Sequence, residues 1–329
     1  MKKILVTGSK GIVGQKLVEQ LKNMGNSVFG IDLLHHAGEV GFVKKMSSEK
    51  WTYSRCDIGE FRQIERIIEL AGPFDMVYNC AAEFGRWNGE DYFEQVWKTN
   101  LIGLKNLIRL QEKHDFKLIH FSSSEVYGDF EGVMNESVMD KIEIKQMNDY
   151  AISKWANEMQ IRNSAIMENT KTVVVRLFNT YGPGEDLNYL KKGMVSIYSS
   201  YIWRNKPIVV KGALNRVRDI TFIDDNIKIL YETMSNKRLK KNEIINLSSG
   251  MSFTVRNLLN EIMISFKKKN YKVIIKKGTP GDSKIFHTSN LKLKKLFPKI
   301  QFTPIRQGLK KYFNWISKVP VKKNITKFH

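Results

Sequence analysis

The sequence predicts an α/β protein built on a doubly wound parallel sheet, with a smaller mixed α/β substrate lobe toward the C-terminus. Three observations predict it. Short apolar runs alternate with amphipathic stretches through the first two-thirds of the 329 residues, which implies βαβ units. Three glycines follow the first apolar run directly. From about Gly182 the rhythm changes to shorter, mixed elements punctuated by proline and glycine.

Ile4-Leu5-Val6 reads as the first strand, and 14–22 as a helix with Leu17, Val18 and Leu21 on one face. Strands follow at 27–32 and 51–55, then a helix at 61–70 and a strand at 75–80. A long helix is expected over about 92–113, a strand over 117–121, a helix over 150–167 and a strand over 172–177. The expected division is a dinucleotide-binding domain over 1–181, a substrate-binding lobe over 182–317 interleaved with it, and a basic tail over 318–329.

Gly8, Gly11 and Gly14 stand between strand and helix with G-x-x-G-x-x-G spacing. The first allows a tight turn, the second a close approach to a pyrophosphate, and the third close packing of helix on strand. The helix N-terminus holds the anion. This is the Rossmann arrangement. Asp32 closes the second strand, where a carboxylate bonds the adenosine ribose and repels a 2′-phosphate, so the cofactor is expected to be NAD rather than NADP. Asp57, after the third strand, either reaches the adenine or caps the next helix.

The chain carries 54 Lys and Arg against 33 Asp and Glu, a net charge of +21, with the lysines scattered over loops and solvent faces. That pattern implies a solvated surface with some attraction for an anionic ligand, and no nucleic acid is expected. No apolar run is long enough to span a bilayer. The start Met1-Lys2-Lys3 breaks at Thr7-Gly8, too early for a signal peptide, so a cytoplasmic location is expected. Cys56 and Cys80 are the only cysteines and suggest no disulfide framework. His35-His36 has no cysteine or carboxylate cluster to support a metal, and none is expected.

Tyr150 and Lys154 lie four apart, on one face of a helix. A lysine ammonium beside a phenol lowers its pKa from about 10 toward working pH, and such a tyrosine can take the proton of an alcohol while a nicotinamide takes the hydride. Ser122-Ser123-Ser124-Glu125 ends the 117–121 strand, where hydroxyls point into the crevice.

With these residues in view, nearly the whole chain, about 1–317, resembles the extended short-chain dehydrogenase/reductase superfamily, and within it the NAD-dependent nucleotide-sugar epimerases and dehydratases. The residues that carry the resemblance are Thr7-Gly8 through Gly14, Asn79 to Glu83, Asn100, Ser122 to Gly128, Tyr150 to Lys154, Phe178 to Pro183, and Arg218-Asp219 before Phe222 to Asp225. The resemblance implies cofactor contacts from Gly8, Gly11, Ile12, Val13, Gly14, Asp32, Asp57, Ile58, Ala81, Ala82, Asn100, Tyr150 and Lys154. It implies that Ser123 bonds the sugar 4-hydroxyl, Tyr150 takes its proton, and Lys154 bonds the nicotinamide ribose. Glu125 stands where 4,6-dehydratases carry the base that removes the C5 proton. Ser124 stands where dTDP-glucose 4,6-dehydratases have the acid for the departing hydroxyl, and GDP-mannose 4,6-dehydratases resemble this chain more closely there.

The expected activity is therefore a nucleotide-sugar 4,6-dehydratase. The alternatives are a UDP-glucuronate decarboxylase, which shares Ser-Glu-Val-Tyr-Gly, a simple 4-epimerase, or a non-enzymatic NAD-sensing or RNA-binding relative. Asn179, Lys206, Lys211 and Arg218 are the expected diphosphate and nucleotide contacts. Glu83 and Arg86 are expected at the sugar pocket; Arg86 with Trp87 either fits an unusual sugar or packs the following helix. Family members dimerise through helices matching about 92–113 and 150–167, and a homodimer built on a four-helix bundle is expected.

Overall fold

The computed structural model describes residues 1–34, 52–85, 92–185, 187, 193–268, 271–278 and 287–319. In chain order the strands are β1 (Lys3–Thr7), β2 (Ser27–Asp32), β3 (Tyr53–Arg55), β4 (Met76–Asn79), β5 (Lys117–Ser123), β6 (Val133–Met134), β7 (Thr172–Leu177), β8 (Asn179–Tyr181), β9 (Ile208–Lys211), β10 (Val217–Phe222), β11 (Glu243–Leu247), β12 (Ser252–Thr254), β13 (Val273–Lys276) and β14 (His287–Thr288). The α-helices are α1 (Ile12–Asn23), α2 (Phe61–Ala71), α3 (Phe93–Val96), α4 (Gly103–His114), α5 (Asp149–Glu168), α6 (Met194–Trp203), α7 (Ile223–Glu232), α8 (Val255–Ser265), α9 (Leu291–Leu296) and α10 (Ile305–Ile316).

Seven strands form one sheet in the order β11-β7-β5-β4-β1-β2-β3, a Rossmann-like α/β architecture. The pairs β1–β2, β1–β4, β2–β3 and β4–β5 run parallel. The strand interiors are continuously apolar because both faces are covered. On one face Leu5, Val77, Leu118 and Val174 pack with Ile64, Ile67 and Ile68 of α2, Leu104 and Leu107 of α4, and Ile161 of α5. The alternate residues Ile4, Val6, Met76 and Tyr78 face the other side, where the buried Tyr78 hydroxyl donates to the Leu230 carbonyl at 2.9 Å. The sheet order reverses between β1 and β4, so the loops after these strands flank the switch-point crevice, where ligands of such sheets bind.

The helix expected over 92–113 is a single rod with a different interior: between α3 and α4, residues Trp97–Ile102 wind as a π-helix. The wider turn places Asn100 at the crevice, and such inserted turns recur at functional sites.

The chain divides into two compact units. The first comprises Met1–Val126, Asn148–Arg176 and Leu230–Ile245 and holds most of the seven-stranded sheet. The second comprises Tyr127–Met147, Leu177–Ile229 and the chain from Asn246 onward. It contains the β12-β10-β8 sheet and the pairs β9–β13 and β6–β14. Its core includes Tyr181 against Phe222, ring centroids 5.5 Å apart, and Tyr181 edge-on to Tyr312.

Candidate active site

The glycine turn closes as its spacing predicts. Gly8 adopts φ +61°, and a Cβ there would lie 2.6 Å from the Ala81 nitrogen. The loop after β1 therefore touches the loop after β4 backbone to backbone. A Cβ on Gly14 would stand 2.1 Å from the Gly8 carbonyl oxygen, while one on Gly11 would meet only that oxygen, at 3.3 Å. Gly11 caps α1 and has no side chain to bond the first-turn N–H groups of Ile12, Val13 and Gly14. A helix start with no side-chain acceptor suits a pyrophosphate.

Asp32 sits at the end of β2 and accepts from the Lys10 N–H at 2.9 Å and the Leu34 N–H at 3.2 Å. The Thr7 hydroxyl donates to Asn79 Oδ1 at 2.7 Å and accepts from the Ala81 N–H at 3.0 Å, which fixes the Ala81-Ala82 loop to β1. Asp57 accepts from the Gly59 N–H at 2.8 Å and pairs with Lys98 at 3.0 Å. It shapes the turn before α2 and does not cap that helix, whose N-cap is Glu60. The Ile58 side chain is in the core, and its carbonyl accepts from Asn106. Asn100 grips the backbone of Glu83 on both sides: its Oδ1 accepts the Glu83 N–H at 2.9 Å and its Nδ2 donates to the Glu83 carbonyl at 3.1 Å. The same amide donates to the Ser153 hydroxyl at 3.0 Å, tying this loop to α5.

The catalytic candidates converge within the first unit. Tyr150 and Ser123 share a side-chain hydrogen bond, and both are buried. Lys154 Nζ donates to the Phe121 carbonyl at 2.8 Å. The Ser123 hydroxyl accepts the Glu125 N–H at 3.2 Å. Ser124, also buried, opens the short 3-10 turn that carries Glu125.

One expectation is corrected. Tyr150 is held well above its ordinary value, not lowered. Burial is the main cause and the Glu125 charge adds to it, while the Ser123 hydrogen bond opposes them. Lys154 Nζ stands 5.8 Å from the Tyr150 ring centroid, and burial pushes the lysine itself down to about 8, against the raising effect of Cys80 and Glu158. Desolvation exceeds charge pairing at this depth.

In the second unit, two of the expected substrate contacts, Asn179 and Arg218, lie on the neighbouring strands β8 and β10. Asn179 on β8 donates to the Asp219 carbonyl at 3.2 Å. Arg218, buried on β10, donates to the Val217 carbonyl at 2.7 Å. Lys206 and Lys211 are exposed before and at the end of β9. Arg86, Trp87, His35 and His36 lie outside the described residues, as does the chain beyond 319. Among the described residues no three metal-ligating side chains cluster, and no helix is long and apolar enough to cross a membrane.

Fold and glycine turn together define an NAD-dependent Rossmann-like α/β protein. Residues 4–248 match the family described as "NAD dependent epimerase/dehydratase family", and the chain belongs to it. NAD is its cofactor. It is 28% identical over 323 residues to a UDP-glucuronate 4-epimerase of Thermodesulfobacterium geofontis, covering 94% of this chain and 95% of that protein. It is 23% identical over 339 residues to a dTDP-glucose 4,6-dehydratase of Salmonella typhimurium, covering 95% and 92%. Its fold matches the UDP-glucose 4-epimerase of Thermotoga maritima, solved with UDP-glucose, at a TM-score of 0.83 and 26% identity over 96% of this chain and 99% of that one.

Sequence reasoning missed several residues at the site. Asn148 is the N-cap of α5: its Oδ1 accepts the Ala151 N–H at 2.9 Å, and its Nδ2 lies 3.4 Å from Glu125 Oε2. An asparagine just ahead of a helix is the signal that could have found it. Asn79 Nδ2 stands 3.2 Å from His120 Nδ1, and Glu158 pairs with Arg176 beneath Lys154. No local spacing links these pairs.

Proposed function

We propose that this protein is a nucleotide-sugar 4,6-dehydratase that forms a 4-keto-6-deoxy sugar. The observation that carries the reading is Glu125. Its carboxylate lies beside the Asn148 amide, close enough to Tyr150 to act on the phenol's charge. A second base thus shares the site with the Ser-Tyr-Lys set, and an enzyme that only inverts C4 does not need one. NAD, when bound, supplies the acceptor for the C4 hydride and returns it at the end of the cycle. Ser123 and Tyr150 hold the 4-hydroxyl and take its proton, and Lys154 supports the charge that develops. Glu125 then removes the C5 proton, which the 4-ketone has made acidic, and passes it to the C6 hydroxyl, which leaves as water as the C5–C6 double bond forms. C5 regains a proton, balancing the one drawn from the 4-hydroxyl, when the hydride returns to C6. Ser124, without an ionisable proton, orients the departing hydroxyl. In the second unit Asn179, Lys206, Lys211 and Arg218 are the proposed contacts to the nucleotide diphosphate, Arg218 with its guanidinium fork. Glu83 and Arg86 are the proposed sugar contacts.

A second reading, a 4-epimerase acting on a UDP-uronate, is favoured by the likeness to a UDP-glucuronate 4-epimerase over nearly the whole chain. Mass spectrometry after incubation with NAD and dTDP-, GDP-, UDP- and CDP-sugars separates the two. Loss of one water supports the dehydratase. An unchanged mass with an inverted C4 establishes the epimerase, and loss of CO₂ from UDP-glucuronate a decarboxylase. The proposed setting is the cytoplasm. The proposed assembly is a homodimer through the 92–114 rod and α5, which carry the exposed apolar side chains Phe93, Trp97, Ile102, Ile152, Ile166 and Met167.

A further inference from the structure

We propose that Glu158 is a positioning residue for the Tyr150–Lys154 pair: seated by Arg176, it holds the end of β5 in register with α5 and supplies the negative charge that Lys154 faces from its own helix. This rests on reading Tyr150 and Lys154 as the reacting pair.

Three consecutive residues of β5 are held by three successive turns of α5. Ser123 bonds Tyr150, the Phe121 carbonyl accepts Lys154 Nζ at 2.8 Å, and the Ser122 hydroxyl donates to Glu158 Oε1 at 2.5 Å. Positions 150, 154 and 158 share one helix face by their spacing of four. The last rung is the anchored one. Glu158 accepts Arg176 Nε at 3.0 Å and Nη2 at 2.7 Å, a two-pronged pair with both side chains only 1% exposed. Arg176 lies on β7, which adjoins β5 in the sheet. The pair therefore locks one helix to two strands at the level of the reacting groups. A buried ion pair is a poor source of stability, since apolar side chains of similar volume often serve as well. What such a pair offers here is direction and charge.

Among the described residues, charged and titratable groups near Lys154 come from several elements, with the Arg176 guanidinium of β7 behind Glu158. Cys80 follows β4, His120 is on β5, and Tyr150 and Glu158 are on α5. Burial raises Cys80 and Tyr150 and lowers His120. Against burial, which lowers Lys154 to about 8, Cys80 and then Glu158 raise it.

The test uses NAD-loaded protein, with UDP-glucuronate and dTDP-glucose as probes. Glu158→Gln strands the Arg176 charge and can fail to fold. The working variant is therefore Glu158→Leu with Arg176→Met, and Ser122→Ala removes the strand contact alone. The double variant should keep KM within about twofold while kcat falls about tenfold, and its alkaline limb should move to lower pH by about one unit. Ser122→Ala should lower kcat without moving that limb. NMR of isotope-labelled lysine should show Lys154 losing its proton at lower pH in the double variant. A folded double variant with the wild-type pH profile and the wild-type Lys154 titration overturns the proposal. If the wild type transfers no hydride with either probe while the Lys154 titration still moves, the Glu158 linkage stands and the catalytic reading falls.

Discussion

Gly11→Ala and Gly14→Ala should damage the cofactor turn in different ways, and the contrast follows from distances. An alanine Cβ at 14 would lie 2.1 Å from the Gly8 carbonyl oxygen and 2.9 Å from Ser9 Cα. Ordinary contact needs roughly 1 Å more, and both neighbours are backbone, so α1 must retreat from the β1 turn. Overpacking of this kind costs about 1–3 kcal/mol, enough to lower the melting temperature by a few degrees. At 11 the new Cβ meets only that oxygen, at 3.3 Å, which asks for a shift of a few tenths of an ångström. The folded protein should hardly notice, but the methyl occupies the space a pyrophosphate must approach. Scanning calorimetry and NAD titration calorimetry give the two readouts. Gly14→Ala should lose both stability and NAD affinity. Gly11→Ala should melt like wild type yet bind NAD about 10–100-fold more weakly, that is about 1.4–2.8 kcal/mol. A Gly11→Ala protein with wild-type affinity, or a Gly14→Ala protein with wild-type melting, would refute the reasoning.

Further predictions concern Glu125, Asp219 and the exposed helix faces. Glu125→Gln should still oxidise C4 but stall before water loss, so reduced nicotinamide absorbance should accumulate at 340 nm with dehydration down about 100-fold; unchanged dehydration would remove Glu125 from the mechanism. Asp219 is buried among Ser248 and Ser249 hydroxyls, and desolvation raises it from 3.8 to about 6. Its protonated form is the one folding favours, so its contribution is complete below pH 3.8 and lost as pH rises through 6. Relative to Asp219→Asn, wild-type stability should therefore fall by on the order of 3 kcal/mol across that window; parallel urea-unfolding curves at pH 4 and pH 7 would contradict this. Trp97→Glu should convert a dimer to a monomer in light scattering, and a wild-type monomer would reject the proposed assembly.

The parts of the fold legible in the sequence are those fixed by short-range spacing. Gly8, Gly11 and Gly14 announce a turn by their spacing, Gly8 and Gly14 because a Cβ there would collide with backbone, and Tyr150 and Lys154 announce one helix face. What was illegible depends on residues distant in sequence. Arg176 and Glu158 are 18 apart, Asn79 and His120 are 41 apart, and neither pair has a spacing that marks it. The π-helical segment escaped for a related reason. Trp97 to Ile102 has the apolar pattern of an ordinary helix, and the wider turn shows only once Asn100 is seen holding Glu83. The phenol's upward displacement was hidden too, because burial depth is a property of the packed state.

The threading of the chain between its two units bears on how the protein is made. Beyond β7 the sheet takes one more strand, β11, which arrives only at Glu243–Leu247, after the chain has run through Leu177–Ile229 of the other unit. A ribosome partway through that stretch holds a sheet that lacks only its seventh strand, and the outermost strand, Thr172–Leu177, has no neighbour on one side. Bare strand edges recruit other strands. Synthesis thus passes through a window in which nascent chains are open to mispairing with one another. Fragments ending between 178 and 242 should aggregate on expression, whereas the full-length chain closes that edge itself.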